Sequence, residues 1–440
     1  MSNSEAQTEI GQDAAILECH KKFLGSKGFN PILSSLNKQS ILRFESLGIP
    51  HGKHEMFTFV DTKGLIQIVS QGRRERIGTV SEDIINRNIY PGCEKSIIVI
   101  VDGFYVKSLS NIRGAGNSVH VMNIEKAVSD INLNRYLLNI AERESDVFSS
   151  INGAFFTGGI MIDIANDTNL STPLQILHIS TSPVEEPAMI TPRIVLRAGN
   201  SSSASVIVKY IGTAGDYLVN STMDVMLEDG AVLKLWQVQA DSPKAWHLSK
   251  THVQMSRMSK LGTVLAYSGC KIARSNFEVH LSGEGAELTL NGISVLCENE
   301  QAHSYIRVYH EAPGCISNQL FRNIVKGRAR TSVDGTVIVR EGAQLTCSEQ
   351  LINNLVLSDD ARADTKPNLM IYNDNVKCTH GSTAGSLDED QIFYLRTRNF
   401  TEVSARALLT ASFAKKVINS IDYPPVAEEV RDILLKKLET

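Results

Sequence analysis

Short alternating strands without intervening helices fill the middle of the chain, from about residue 148 to residue 376. Four segments of this stretch resemble one another, because each begins with small residues and continues as an alternating strand: residues 203–208, 230–235, 285–290 and 342–346. Successive segments start 27, 55 and 57 residues apart, which is close to one or two multiples of a unit slightly under about 30 residues. Repeated β units of this kind indicate either a sandwich or a solenoid.

A solenoid is the fold that we expect from this repeat. The β pattern continues without a domain-linker signal, and in a β-helix each turn covers the previous one, so that only the end turns expose an edge. The predicted class is therefore mainly β, with a parallel β-helix over residues 148–380 and with Leu233, Leu235, Leu288 and Leu290 turned inward. A pair of β-sandwich domains is the alternative that the pattern alone leaves open.

Helical patterns precede the β region. Residues 1–90 carry apolar residues at mixed three- and four-residue steps and are predicted to be an N-terminal helical region, with Gly48 suited to end its second helix. Residues 91–147 are predicted to hold a linking strand and helix, and the strand, at residues 96–101, is expected to stand isolated. The sequence therefore predicts that helices lead into the β body.

The C-terminal region, residues 386–440, returns to helix. Ser386 and Glu389 match a capping box, and Thr401 can cap a second helix. Two consecutive prolines at 424 and 425 can start a third helix. We expect three consecutive helices here.

The second C-terminal helix carries an apolar stripe with a basic residue beside it. The candidate partner-binding residues on this helix are Arg406, Leu408, Leu409 and Phe413. Such a stripe can dock on the β body or present a face to another protein. The residue pattern does not decide between these two interpretations.

Charge and composition limit the kinds of partner. The 48 acidic and 44 basic residues are mixed along the chain, so the basic patch that nucleic acid requires is not expected. The longest nearly unbroken apolar stretch, residues 97–101, is far shorter than the roughly 20 residues of a membrane span, and we expect a cytoplasmic protein. Seven cysteines without a CxxC pair indicate neither a disulfide framework nor a self-contained zinc ribbon.

Candidate metal-binding chemistry is concentrated at Cys378 and His380, just before the first C-terminal helix. On an extended segment these two side chains face the same side, roughly 6.5–7 Å apart. A thiolate and an imidazole form half of a metal or cluster site, because iron–sulfur clusters and structural zinc usually take four protein ligands. The remaining ligands would come from a distant residue or another chain. A Cys–His nucleophile pair fits poorly, since the base normally approaches from a separate element.

Several segments carry a family resemblance, above all DNVKCTHG at residues 374–381. The others are residues 98–103, 274–276, 281–287, 290–292, 355–367, 387–389 and 405–409. Together they resemble the SufD branch of the SufB/SufD family, whose members belong to the SUF system of iron–sulfur cluster assembly. The resemblance is dense from about residue 270 to residue 420.

The resemblance implies a right-handed parallel β-helix between helical terminal regions, acting as a non-catalytic scaffold in cluster assembly and iron acquisition. It implies a SufB-type partner bound through the β-helix and a SufC-type ATPase bound through the C-terminal helices. In this family the histidine of the CxH run is implicated as a ligand of the nascent cluster shared with SufB. Here the corresponding residues are His380 and, beside it, Cys378. Reduced flavin is implied for the complex, without assignment to residues.

Two other functions are consistent with the residues alone. A β-helix carbohydrate-active enzyme would need clustered carboxylates or basic residues on adjacent turns. A purely structural solenoid would keep Cys378 and His380 in its core. The sequence also leaves open whether the isolated chain forms a homodimer, what donates iron, and which cluster type is delivered.

Overall fold

In the computed structural model of the protein, the strands form two long sheets. The structure describes residues 3–25, 31–50, 54–60, 62–72, 78–130, 133–137, 140–156, 158–181, 189–213 and 215–439. The extreme ends of the two predicted helical regions, residues 1–2 and 440, lie outside the described residues. The central strands alternate between the two sheets and build a parallel solenoid of about seven turns.

Sheet I contains every second strand of the solenoid. Adjacent strands within this sheet pair in parallel, except for one antiparallel hairpin at its N-terminal end. Its strands are β1 Ile97–Val101, β2 Phe104–Tyr105, β5 Leu174–Ser180, β8 Ser203–Gly212, β10 Val232–Ala240, β12 Lys260–Tyr267, β14 Glu287–Leu296, β16 Ile316–Val325, β18 Cys347–Val356 and β20 Lys377–Gly385. The predicted strand at 96–101 is confirmed as β1. It is not isolated, because it pairs in parallel with β5 and extends sheet I.

Sheet II contains the intervening strands. They are β3 Val119–Asn123, β4 Ile160–Ile164, β6 Met189–Ile190, β7 Arg193–Ala198, β9 Leu218–Leu227, β11 Trp246–Met255, β13 Ile272–Leu281, β15 Gln301–His310, β17 Arg330–Val339 and β19 Arg362–Ile371. The prediction of a parallel β-helix is confirmed, and the sandwich alternative is wrong, because successive strands of each sheet pair in parallel one turn apart.

The main core lies between the two sheets. The four leucines predicted to point inward, Leu233, Leu235, Leu288 and Leu290, are all buried there, as expected. The fourth repeat segment differs from the prediction. Residues 342–346 form a turn before β18 rather than a strand, with Leu345 exposed at a φ of 60°.

Among the described residues, seven helices lie before the solenoid or within its first turn. They are α1 Asn3–Gly25, α2 Pro31–Leu47, α3 Lys63–Val69, α4 Glu82–Asn86, α5 Ile124–Ala127, α6 Ile140–Arg143 and α7 Val147–Phe155, with 3₁₀ turns at Glu55–Phe57, Lys107–Leu109, Arg113–Ser118 and Asn134–Tyr136. Gly48 ends α2 at a φ of 68°, as predicted. Apolar side chains of α1, α2, α3 and α7 pack on the outer face of sheet II, against Trp246, Leu248 and Ile272.

Three helices follow the solenoid: α8 Glu389–Thr397, α9 Glu402–Ile418 and α10 Pro424–Glu439. The cap at Thr401 is confirmed, because its Oγ1 accepts a hydrogen bond from Ser404 N at 3.1 Å. The capping box at Ser386 is wrong. The chain stays extended to Gly385, and Asp388 caps α8 by accepting from Asp390 N at 2.9 Å. Within the described part of the chain, no helix is both long and apolar enough to span a bilayer.

The C-terminal helices cover the outer face of sheet I. Ala405, Val417 and Val430 are buried in a second apolar cluster together with Trp236 and Val264 of the sheet. The solenoid therefore lies between two helical layers: the N-terminal helices pack on sheet II, and the C-terminal helices pack on sheet I. Burial of these outer apolar faces gives both layers their main stabilisation.

The two ends of the solenoid differ. At the N-terminal end the sheets finish in antiparallel pairs, β1 with β2 and β3 with β4. At the C-terminal end β19 and β20 are the last strands of their sheets, and no described residue pairs with their outer edges. Unpaired backbone groups along such strands are ready to bond to another chain.

One test of the core packing uses two glycines. A Cβ on Gly292 would lie 2.3 Å from Cδ1 of the buried Phe321, whereas a Cβ on Gly262 would meet no atom within 4 Å. We expect Gly292→Ala to lower the free energy of unfolding by about 1–3 kcal/mol, because the ring must move within a packed core. Gly262→Ala should leave it within about 0.5 kcal/mol of wild type. Urea unfolding of both variants measures the difference, and equal midpoints would contradict the packing.

Candidate functional site

Cys378 and His380 lie on β20, the last strand of sheet I. Cys378 is opposite Ser348 and His380 is opposite Gln350, and both of these β18 partners are buried inside the solenoid. Side chains opposite each other on paired strands point to the same side of a sheet. Cys378 and His380 therefore face inward at the last turn, where His380 is exposed because no further turn covers it.

The interior becomes polar toward this end. Two neighbouring columns of inward-facing residues, read turn by turn, are Leu233, Leu261, Leu288, Ser317, Ser348 and Cys378, and Leu235, Thr263, Leu290, Gln319, Gln350 and His380. In the final three turns polar groups and a thiol replace the leucines. Polar side chains are expensive to bury inside a solenoid unless they bond to one another.

Hydrogen bonds run along both columns. Ser317 and Ser348 share a bond of 2.9 Å between their hydroxyls, and Gln350 Nε2 donates to Gln319 Oε1 at 3.1 Å. Gln350 Oε1 has no hydrogen-bond partner although the side chain is buried. An unpaired buried acceptor costs about 1–3 kcal/mol, and this one lies one turn below His380 in the same column.

Cys378 is half-buried against Val337, Val339 and Ala343. Burial, together with the neighbouring Cys347 thiol, raises the pKa of the Cys378 thiol above its usual value. The thiol is therefore mostly protonated at neutral pH. A bound iron ion would favour the thiolate, because ligation deprotonates a cysteine.

The arrangement can supply two donors, a sulfur and a nitrogen, at an exposed strand edge. Among the described residues, no third histidine, cysteine or carboxylate lies close enough to Cys378 and His380 to complete a three-donor metal site. Two donors cannot complete the four-ligand shell of a cluster. The site is consequently open on the side where another chain could pair with β19 and β20.

The predicted partner-binding residues of α9 divide into two groups. Leu409 and Phe413 pack against the apolar cluster over sheet I, and Arg322 lies 4.7 Å from the centre of the Phe413 ring. Leu408 is 43% exposed, and Arg406, which is partly buried, forms ion pairs with two glutamates of α8 and α9. Docking on the β body therefore accounts for Leu409 and Phe413, and the partner-binding role of the stripe stays a prediction.

Sequence reasoning identified only Leu408 among the exposed apolar residues of α8, α9 and their connection. These residues, here called the α8–α9 surface, are Phe393, Tyr394, Phe400, Val403 and Leu408. Each exposes at least two fifths of its surface, and Val403 exposes 74%. Helical periodicity alone could not identify this surface, because the orientation of the helices is fixed by packing on sheet I.

The polar columns also escaped the sequence analysis, although the sequence contains a signal for them. Ser317 and Gln319, Ser348 and Gln350, and then Cys378 and His380 share one two-residue spacing, repeated after 31 and 30 residues. These intervals equal one turn of the solenoid. A search for polar pairs at the repeat length would have linked the CxH run to the turns beneath it.

Comparison with known proteins gives the family. Residues 179–413 match the family model described as "SUF system FeS cluster assembly, SufBD core domain", and residues 18–176 match "SufBD protein N-terminal region". The core match covers more than half of the chain, and the protein belongs to the SufB/SufD family of the SUF iron–sulfur cluster assembly system. This membership favours cluster assembly over carbohydrate chemistry.

Three relatives illustrate the similarity. The chain is 28% identical to an iron–sulfur cluster assembly SufBD family protein of Synechocystis sp., over 94% of this chain and 93% of that protein. It is 25% identical to the iron–sulfur cluster assembly protein SufD of Escherichia coli, over 87% of each chain. A SufBD family protein of Mycobacterium tuberculosis is 29% identical over 67% of this chain and 74% of its own length.

Proposed function

We propose that this chain is a scaffold subunit that holds a nascent iron–sulfur cluster between itself and a SufB-type subunit. The cluster is cargo, and the chain contributes ligands rather than turning over a substrate. The observation that carries the proposal is the pair of polar inner columns that end at Cys378 and His380 on an open turn. Family membership supports the cluster as the cargo.

The open end supports a partner chain as the source of the remaining ligands. The outer edges of β19 and β20 carry two rows of backbone donors and acceptors, and another sheet can add to such edges. A SufB-type β-helix meeting this end would bring its own side chains next to His380. The cluster then forms at the junction of two solenoids, which keeps it from solvent.

Gln350 is suited to position His380 from the turn beneath. Its unpaired Oε1 can accept a hydrogen bond from one imidazole nitrogen of His380, leaving the other nitrogen for iron. A carbonyl acceptor on one nitrogen fixes the tautomer and the ring plane of a ligand histidine. Gln319 in turn holds Gln350 through the amide–amide bond described above.

The experiment that tests the scaffold role is anaerobic reconstitution with iron and sulfide. The chain is mixed with its SufB-type and SufC-type partners, and cluster absorbance is compared with that of a mixture lacking this chain. We expect at least about tenfold less stable cluster when the chain is left out, because the shell loses ligands. Equal cluster yield without the chain would contradict the scaffold role.

The α8–α9 surface is the site we assign to a SufC-type ATPase. Five apolar side chains are exposed on adjoining helices, and two of them, Tyr394 and Leu408, line one groove. Exposed apolar surface of this kind marks protein contacts. Arg406 of α9 also forms an ion pair with Glu389 of α8, with 3.1 Å between Nη2 and Oε1. Deleting residues 386–440 would be a poor test, since it would uncover the outer face of sheet I.

Point substitutions test this surface without disturbing the core. Val403→Asp combined with Leu408→Asp should weaken capture of the SufC-type subunit at least tenfold, because central apolar contacts carry about 1.4 kcal/mol or more of binding. Leu42→Asp is the matched control, since Leu42 is an exposed leucine on α2. Undiminished capture by the double variant would place the ATPase elsewhere.

Three further parts of the proposal concern the setting of the protein. A part in iron acquisition and reduced flavin as a further cofactor of the complex rest on the family resemblance, and a cytoplasmic location rests on the sequence pattern. We assign no described residue to flavin.

A further inference from the structure

A second group of metal-binding side chains lies on the outer face of sheet II. Among the residues that the structure describes, His252, Glu278 and His280 each place one ligand atom within 4.8 Å of the others. His252 of β11 is directly opposite Glu278 of β13, and His280 follows two residues later on the same face. Two adjacent parallel strands therefore bring three possible metal-ligand atoms close together.

The hydrogen bonds of His280 suit a ligand histidine. Its Nδ1 lies 2.9 Å from Glu311 Oε1, and its Nε2 lies 3.1 Å from Glu278 Oε1. The ring stacks on Tyr309 with 4.4 Å between ring centres, which restrains its plane. A carboxylate on one nitrogen commonly orients an imidazole whose other nitrogen binds a metal. Glu311 can play that orienting part while Nε2 faces Glu278.

His252 provides an independent observation. Its side chain is about nine-tenths buried, and its Nδ1 has no hydrogen-bond partner. The carboxylate of Asp224 stays 3.9 Å away, too far for a hydrogen bond. Burial lowers the pKa of His252 to about 4, so the ring is neutral and keeps a lone pair. A buried nitrogen without a partner is costly unless a ligand satisfies it.

Glu278 is held in place as a carboxylate. Its Oε2 accepts from Ser145 Oγ at 2.9 Å and lies 3.3 Å from Lys250 Nζ. Although burial raises it, the hydrogen bond from His280 and the charge of Lys250 hold the pKa of Glu278 well below its usual range. The glutamate is partly open to solvent, which leaves a path for an ion.

We propose that His252, Glu278 and His280 bind a divalent first-row transition-metal ion, separate from the site on β20. Two imidazoles and one carboxylate with open positions are the donor set typical of ferrous iron, and the same set accepts zinc. The ion replaces the proton between His280 Nε2 and Glu278, and that proton leaves to solvent. Bonds of about 2.1 Å require the donors to close to roughly 3–3.5 Å, through side-chain rotation.

The proposal does not rest on cluster assembly, because it concerns the isolated full-length chain. The test titrates ferrous iron and zinc anaerobically into a Cys378→Ala, His380→Ala double variant, which removes the donors of β20. We expect one ion per chain. His252→Leu, Glu278→Gln and His280→Gln, added singly, should each weaken binding at least about 100-fold. Equal affinity in all three would overturn the proposal.

Two further measurements keep the test decisive if a variant folds poorly. Bound metal should raise the melting temperature of the double variant but not that of the same variant with His252→Leu added. Because His252 Nδ1 has no hydrogen-bond partner, that substitution removes no hydrogen bond of this nitrogen. X-ray absorption of cobalt bound to the double variant should show imidazole scattering from two histidines. Failure to bind any of the three metals, or a spectrum without imidazole, overturns the site.

Discussion

A His380→Ala complex is expected to assemble normally and to lose most of its cluster. His380 is exposed at the last turn, so its removal should change the melting temperature of the chain by no more than a few degrees. The lost imidazole leaves the cluster one ligand short, and we expect at least about a tenfold drop in visible cluster absorbance and in transfer to an acceptor protein. Complex yield, melting temperature and absorbance are measured on the same preparation.

The matched control is His120→Ala, an exposed histidine of β3 at the opposite end of the solenoid. It should retain full cluster. Cys378→Ala should have the milder effect if the half-buried thiol only supports the site. A well-folded His380→Ala complex that forms cluster normally would contradict the ligand role.

Arg193→Ala is expected to be the most destabilising single change in the protein. Arg193 is 1% exposed, and its Nη2 lies 2.9 Å from Glu144 Oε1 and 3.1 Å from Asp224 Oδ2. Its Nη1 donates to Asn152 Oδ1 at 3.2 Å. Without the Arg193 cation, two buried carboxylates lack a counter-charge, which should lower the free energy of unfolding by about 3–5 kcal/mol. The N-terminal helices and sheet II meet at this cluster.

Arg197→Ala is the comparison for that variant. Arg197 lies on the same strand and pairs with Asp163 at 2.7 Å, but part of the side chain reaches solvent. Because this pair keeps some contact with solvent, its loss is expected to cost less than that of the fully buried Arg193 group, about 1–2 kcal/mol. In denaturant unfolding, the loss of unfolding free energy should be severalfold larger for Arg193→Ala than for Arg197→Ala. Similar losses would contradict a special contribution of Arg193 to stability.

The repeat length made the solenoid predictable from sequence. Small residues before alternating strands, as at Gly230 and Gly285, occur where the chain turns into sheet I, so their spacing reports the turn length. The two intervening strands without that signature, β12 and β16, fill the gaps in the pattern. Sheet II was not predicted strand by strand, because its outer face is covered by helices and its residues do not alternate cleanly.

The candidate site was predictable only in part. Cys378 and His380 were found from residue type and spacing, since a two-residue step on a strand keeps both side chains on one face. Their position inside the final turn, and Gln350 beneath them, depend on pairing between β18 and β20. Long-range register of this kind is set by the whole stack of turns. The three-residue group on β11 and β13 escaped for the same reason.

The most direct test of the central claim is to detect nitrogen from this chain on the cluster itself. The chain is produced with ¹⁵N-labelled histidine, combined with unlabelled partners, and the reconstituted, reduced cluster is examined by pulsed electron–nuclear double resonance. A His252→Leu background excludes signals from the second group of metal-binding side chains. The account predicts a ¹⁵N coupling of a directly bound imidazole that disappears when His380→Ala is added. A cluster with no ¹⁵N coupling, or a coupling that survives His380→Ala, would contradict it.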